Sequence, residues 1–448
     1  MPAKPPTPSP AEQPIDIGSR LELFVDDYLI DRMTGTRLVL HPPRRAERVL
    51  DFDAPWEGRD SAYVTVFQDG PRYRMYYRGL PGEGKQEVTC YAESPDGIHW
   101  TKPSLGLFEY NGSKDNNIVW TGFGTHNFAP FKDANRRASA EERYKALAGG
   151  PLVALVSPDG IHWKKLREQP VLTKGAFDSQ NLAFWDAERG CYAAYFRIFI
   201  DGVRGIARAT SDDFIHWSDP EPIDTGDAPR EHFYTNATTP YSRAPHLLLS
   251  FPKRFVPSRK RVPDEKDDGV SDGVFMTSRD GRRFQRQFLE AFLRPGRDLA
   301  NWTDRNNMIA WGVVPTAPDE ISIYFSQHYD HPDSHLRRGV LRTDGFVSVR
   351  APYAGGELVT KPLLFRGRKL VLNYATSAAG SVQVELLDAT GKTLPGFALA
   401  DCPEIYGDEI EGIVGWKSGS DVSSLAGKPL RLRLVLRDAD VYSMRFAE

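Results

Sequence analysis

Cysteine is scarce. The chain has three, Cys90, Cys191 and Cys402, far apart and without CxxC spacing. That argues against a dense disulfide framework or a thiolate zinc site and leaves room for one disulfide at most. No apolar run approaches the roughly 18–20 residues that cross a bilayer, so no membrane partner is expected. No basic block stands out and the net charge is −3, which argues against a nucleic-acid surface. GxGxxG and P-loop spacings are missing, so nucleotide cofactors are not expected. Helical periodicity is nearly absent apart from 138–143. The opening MPAKPPTPSPAEQP is proline-rich and lacks the apolar stretch of an intact secretory signal, so residues 1–19 read as a disordered leader. The expected location is periplasmic or secreted, with the signal peptide not present in this chain.

What is present is a repeat. Ser94-Pro-Asp-Gly-Ile-His-Trp100, Ser157-Pro-Asp-Gly-Ile-His-Trp163 and Ser211-Asp-Asp-Phe-Ile-His-Trp217 are related. Ser278-Arg-Asp-Gly-Arg-Arg-Phe284 is a fourth copy and Thr343-Asp-Gly-Phe-Val a degenerate fifth; the starts are 63, 54, 67 and 65 residues apart. Asp-Gly supplies the positive-φ turn of a tight hairpin, and the Ser and Asp side chains bond local amides. Before each box lie two β-rich stretches, the first ending near Phe67, Phe131, Trp185, Tyr241 and Val314. The fourth interval is longer, which marks the polar run 259–269 as an insertion, a solvated loop by default or else a lid or subunit contact. Five such units predict an all-β chain: a five-bladed β-propeller over 20–350. Alternating strands such as Leu430-Arg-Leu-Arg-Leu-Val-Leu436 predict a C-terminal β-sandwich over 351–448. The segment Leu21-Glu-Leu-Phe-Val-Asp-Asp-Tyr-Leu-Ile30 stands outside the repeat and is expected to dock on one of the two.

In a propeller the first residues of each innermost strand reach one mouth of a central funnel. Seven residues before Phe67 and before Trp185 stand Asp60 and Asp178; the same offset gives Gly124, Tyr234 and Asn307 in the other units. Glu231 lies nearby. A carboxylic acid beside an ionised carboxylate in a concave, aromatic-lined site is what glycoside hydrolysis requires. The catalytic candidates are therefore Asp60 as nucleophile or base, Glu231 as acid, and Asp178 as a charge that orients substrate or tunes the acid. Substrate-binding candidates at the same level are Arg59, His126, Asn127, Gln180, Tyr234, Asn236, Trp302, Arg305 and Asn306. Tyr234 and Trp302 are expected to offer faces for stacking on a sugar ring. His99, His162 and His216 recur with the box and read as structural.

These boxes resemble those of the five-bladed glycosidases of glycoside hydrolase families 32 and 43, and the trailing strands are similar to the sandwich of family 32. The runs Glu231-His-Phe-Tyr-Thr-Asn236 and Asn301-Trp-Thr-Asp-Arg-Asn306 also resemble uncharacterised bacterial family 32-like proteins. The resemblance spans about residues 20–448 and implies an exo-acting glycosidase on an oligosaccharide, of furanoside or anhydro-sugar type. Those families set an Asp in blade 1, an Asp in blade 2 and a Glu in blade 3. Asp60 matches the first, while blade 2 here offers Gly124, His126 and Asn127, and Trp56-Glu-Gly-Arg-Asp60 stands in place of the invertase sequence W-x-N-D-P-N-G. The alternatives are a non-catalytic carbohydrate-binding propeller, or a phosphorylase or lyase on the same scaffold, the former with Arg59 and Arg305 holding phosphate. No metal site or cofactor is expected, beyond the channel calcium or other divalent ion that some such glycosidases hold and that His126 would meet.

Overall fold

The computed structural model describes residues 13–82 and 84–448. Among them there is no α-helix; strands and a few single turns of 3₁₀ helix account for the regular structure. The run 138–143 contains one such turn, Ala140–Glu142. The three cysteines are unpaired. Of the expected leader, residues 1–12 lie outside the described residues, and Ile15–Gly18 form a strand.

The chain divides into two compact units, 42–343 and 1–41 with 344–448. The first is a series of small antiparallel meanders. Ala62–Asp69, Arg72–Gly79, Val88–Ser94 and Ile118–Thr121 form one sheet. Ala129–Lys132, Tyr144–Gly149, Leu152–Ser157 and Lys164–Lys165 form the next, and Leu182–Asp186, Cys191–Ile200, Val203–Ser211 and Glu221–Pro222 a third. Thr239–Tyr241, Ala244–Ser250 and Met276–Ser278 pair as a three-stranded sheet. The last meander, Val314–Ala317, Glu320–Gln327 and His335–Arg342, takes its fourth strand from the chain's beginning, Arg44–Asp51. Two of the first strands are covered on both faces: Ala62 to Val66 and Leu182 to Phe184 are all buried.

The repeated boxes are the turns after each third strand, and they behave as their chemistry dictates. In the second copy Ser157 Oγ accepts from the Gly160 amide (2.9 Å) and Asp159 Oδ1 from the amides of Ile161 and His162 (2.8 Å each). Gly160 sits at φ 79°, and Trp163 Nε1 donates to its carbonyl. Three of the boxes are also joints between sheets. Tyr76 of the first sheet donates to Gly160 O (2.8 Å), and Tyr195 of the third to Gly281 O (2.7 Å). Tyr324 of the last sheet reaches Gly97 O of the first.

The insertion is larger than the polar run 259–269. Lys253–Val256 and Val270–Gly273 form a hairpin around it, and that hairpin pairs with His232–Phe233 as a separate three-stranded sheet.

In the second unit Lys369–Asp388 and Leu430–Ala447 pair along their length, and Leu430, Leu432, Leu434 and Leu436 point into a core with Val382, Val384, Leu386 and Trp416. The alternation read at 430–436 is this inward face. The N-terminal segment belongs here. Ile15–Gly18 runs parallel to Leu363–Phe365, Ile30–Thr34 pairs with Gly356–Thr360, and Arg37–Leu40 with Val347–Ala351. The boundaries thus differ from 20–350 and 351–448, because residues 15–41 complete the C-terminal sheet instead of opening the series of meanders.

Candidate functional site

A cavity of about 450 Å³ opens in the unit 42–343 where the meanders' first strands begin. Ala62, Tyr63, Tyr234, Met308 and Tyr329 form a buried cluster that gives it an aromatic floor. Its walls are charged: Arg59, Asp60, Arg78, Glu87, His126, Asp178, Arg305 and Asp330 line it, with Lys266 and Asp267 from the insertion. Arg59, Asp60, His126, Asp178, Tyr234 and Arg305 all face the cavity.

Asp178 belongs to a chain of charges. His126 Nε2 lies 3.0 Å from its Oδ1, and Arg197 Nη2 lies 3.5 Å from its Oδ2. On the other edge of the imidazole, Nδ1 is 3.1 Å from both Glu87 oxygens. The His126 hydrogen bond, reinforced by Arg197, holds the Asp178 carboxyl well below the usual carboxylate range. Burial opposes the charge of His126, but Asp178 and Glu87 outweigh it and raise the imidazole above its ordinary value. The two carboxylates sit on opposite edges of the ring, a salt-bridged chain and not one converging set of ligands.

Asp60 is tuned the other way. Burial, and then the charge of Asp330, raise its carboxyl above the ordinary value, although Arg59, Arg78 and Arg305 pull against them. Arg78 ties the two carboxylates' surroundings together. Its guanidinium donates to the Asp60 carbonyl (2.6 Å) and Tyr329 Oη (3.2 Å), and it lies 3.2 Å from both His126 ring nitrogens, over the Tyr63 ring. Arg59 pairs with Asp330 (3.0 Å). Beneath the floor, the buried Lys253 ammonium bonds Asp304 (2.7 Å) and sits 4.1 Å above the Tyr234 ring. Burial lowers the proton affinity of Lys253, and Asp304 resists that shift.

The remaining candidates lie elsewhere. Glu231 is outside this cavity, with its carboxylate held by Arg254 and Arg286 at 2.8 Å each. The strand that follows it, His232–Phe233, is drawn to the insertion hairpin, a pairing that the strand-end alignment did not include. Asn127, Gln180, Asn236 and Asn306 are buried and satisfy backbone groups between strands. Asn127 holds Gly149 and Phe177, Gln180 holds Val64, Asn236 holds Tyr195, and Asn306 accepts from the Tyr329 amide. Trp302 donates its indole N–H to Gly296 O and does not line the cavity. The Tyr234 ring is covered by Lys253, Arg197 and Arg204, so it is floor and not an open stacking face. Inspection of first strands alone missed Arg78 and Glu87. These stand at the end of a second strand and just before a third, and their signal is charge beside apolar strand ends.

No protein-family profile matches the chain, and no curated protein matches it. Some solved structures are similar in outline. A glycoside hydrolase is 12% identical, covering 67% of this chain and 92% of its own, at a TM-score of 0.48. An N-acetylgalactosamine deacetylase from F. plautii, in complex with blood group B trisaccharide, is 14% identical over 68% and 94%, at 0.44. A glycosyl hydrolase from Bacteroides ovatus is 16% identical over 68% and 93%, at 0.42.

Proposed function

We propose that the protein is a glycoside hydrolase that removes terminal sugars, with the Asp60–Asp178 cavity as its active site. The observation that carries this reading is the opposite tuning of two carboxylates that line one cavity. Asp60 is raised, which favours its protonated form; Asp178 is lowered, which favours its ionised form. Carboxyl groups split in this way divide the labour of acetal cleavage. Asp60 donates its proton to the leaving oxygen. Asp178 acts on the other side of the anomeric carbon, as nucleophile or as base toward water. These roles replace the expected ones, in which Asp60 was the base and Glu231 the acid. Arg59, Arg305 and Lys266 bind hydroxyl or acidic groups of the sugar, and the floor of Tyr63, Met308 and Tyr329 takes its apolar face. A cavity of about 450 Å³ suits a chain end better than a chain interior.

The same proposal includes the architecture. The five meanders, the tyrosine-to-box joints and the closing strand Arg44–Asp51 support a five-bladed propeller. The paired long strands and their one-sided core support a β-sandwich in the second unit. A second reading, phosphorolysis, is favoured by one observation: Arg59, Lys85, Lys266 and Arg305 line the cavity and offer charge to phosphate.

The test is turnover of an oligosaccharide panel, with and without phosphate, by wild type, Asp60→Asn and Asp178→Asn. Each variant is expected to lose roughly 10²–10⁴-fold in kcat and to keep its fold. An aryl glycoside with a good leaving group, which needs no proton, should restore much of the Asp60→Asn rate and none of the Asp178→Asn rate. Wild-type rates in both variants would refute the assignment. Binding without cleavage by the wild type would mark a carbohydrate-binding propeller.

A further inference from the structure

Beside the cavity, the turn after Glu320–Gln327 carries His328 and His331, and His335 opens the strand that follows. One side-chain donor atom from each of His328, Asp333 and His335 lies within 4.8 Å of the other two. Both His328 and His335 are fixed by hydrogen bonds on the ring. His328 Nε2 is 2.6 Å from Asp298 Oδ2, while its Nδ1 meets Asp333 Oδ2 at 2.7 Å. His335 Nδ1 is held by the Asp333 carbonyl at 2.8 Å. His335 is 2% exposed and its Nε2 has no protein partner; the buried Nε2 of His331 has none either. A buried ring nitrogen left unpaired is unfavourable, and it is a ready ligand atom.

We propose that His328, Asp333 and His335 bind a divalent transition metal ion. Two imidazoles and one carboxylate suit zinc, cobalt or nickel; calcium and magnesium prefer all-oxygen sets. Asp298 serves as the outer carboxylate that fixes the His328 ring, a recurrent partner of metal-bound histidine. Asp333 is half exposed, so water completes the coordination. The ion joins the start of the turn, His328, to its end, Asp333 and His335. Between them stand Tyr329 and Asp330, which line the cavity. The backbone is left-handed at His328 (φ 55°) and Asp330 (φ 67°), a conformation that non-glycine residues hold only when the surroundings impose it. The metal is thus a brace for one wall of the cavity and takes no part in bond cleavage.

The experiment uses the full chain, stripped with chelator and then titrated with Zn²⁺ and with Co²⁺. Bound metal per chain, the cobalt d–d spectrum and the thermal midpoint are read. One ion per chain is expected, with a raised midpoint and nitrogen–oxygen-ligated cobalt bands, and no such response to Ca²⁺ or Mg²⁺. His335→Asn and Asp333→Asn should each weaken binding at least 100-fold, and Asp298→Asn about 10–100-fold. Asp333 lies at the surface, so its variant is expected to fold even where the His335 variant does not. No stoichiometric uptake by the wild type would overturn the proposal, leaving His328 as a bridge between two carboxylates. Uptake unchanged in Asp333→Asn and His335→Asn would also overturn it.

Discussion

Asp178 owes its low proton affinity first to one neighbour, His126, and only then to Arg197. Replacing His126 by glutamine removes a cation and leaves a neutral donor. The Asp178 carboxyl should then rise toward the ordinary range. As pH falls, activity that requires its ionised form should then fade sooner than in the wild type, so the acid limb of the pH–rate profile moves to higher pH. An unmoved acid limb would mean that the limb belongs to another group. His126 itself is raised, so its ion pairs stabilise the fold most below the usual imidazole value of about 6.5 and lose that contribution as pH climbs through the folded value. Glu231 makes the contrasting case. Glu231→Gln should leave kcat within a few-fold of wild type. It should lower stability by roughly 1–3 kcal/mol, since Arg286 loses its carboxylate partner and Arg254 keeps only Asp272, in a partly solvated site. A large loss of turnover with an unchanged melting temperature would reinstate it as a catalytic group. The sequence made Asp60 and Asp178 legible because they precede first strands at one register. It misled on Asn127, Gln180, Asn236 and Asn306, since a polar residue at a strand start serves a neighbour's backbone as readily as a ligand.

At the scale of the element, the box was readable because its chemistry is local. Serine and aspartate two residues apart specify the turn, with Gly97, Gly160 or Phe214 at positive φ next, and the same aspartate bonds recur around Asp96, Asp159 and Asp213. Burial alone would raise the Asp159 carboxyl, but the amide and histidine hydrogen bonds hold it well below the ordinary range. Asp159→Ala should therefore cost roughly 1–2 kcal/mol near neutrality, discounted for the half-exposed side chain. A depressed carboxyl contributes above its unfolded value and loses that contribution as pH falls. The gap between wild type and variant should narrow below about pH 4, as denaturant melts at several pH values would reveal. The insertion hairpin was not readable to the same degree. The polar run marked its tip, but nothing local announced that Lys253–Val256 pairs with His232–Phe233 and carries Glu231 away from the cavity.

Whole-molecule organisation depends on pairings that sequence position hides. The strand Arg44–Asp51 closes the last meander almost 300 residues later, and residues 15–41 complete a sheet built from 344–448. The boxes mark the end of each third strand, but nothing near them in the chain signals partners so distant. The consequence is testable by truncation. Removing residues 1–41 deletes Ile17, Phe24, Leu29 and Ile30 from the second unit's core. Each such side chain contributes about 1.5–3 kcal/mol when buried. Their joint loss approaches the whole stability of an ordinary domain, about 5–15 kcal/mol. Limited proteolysis of the truncated chain should cut early within 344–448. Resistance there equal to the full chain would show that those strands hold without their N-terminal partners.

Cleavage of glycosidic bonds in the Asp60–Asp178 cavity would be visible in proton NMR of the full chain with a broad glycan panel. Fructans, arabinans, xylans and red-algal galactans belong in that panel. The account predicts a new anomeric signal from a released terminal sugar in at least one sample, absent when Asp178→Asn replaces the wild type. The α or β form of the first product then reports retention or inversion. No new anomeric signal from any glycan, or the same signal from Asp178→Asn, would contradict it.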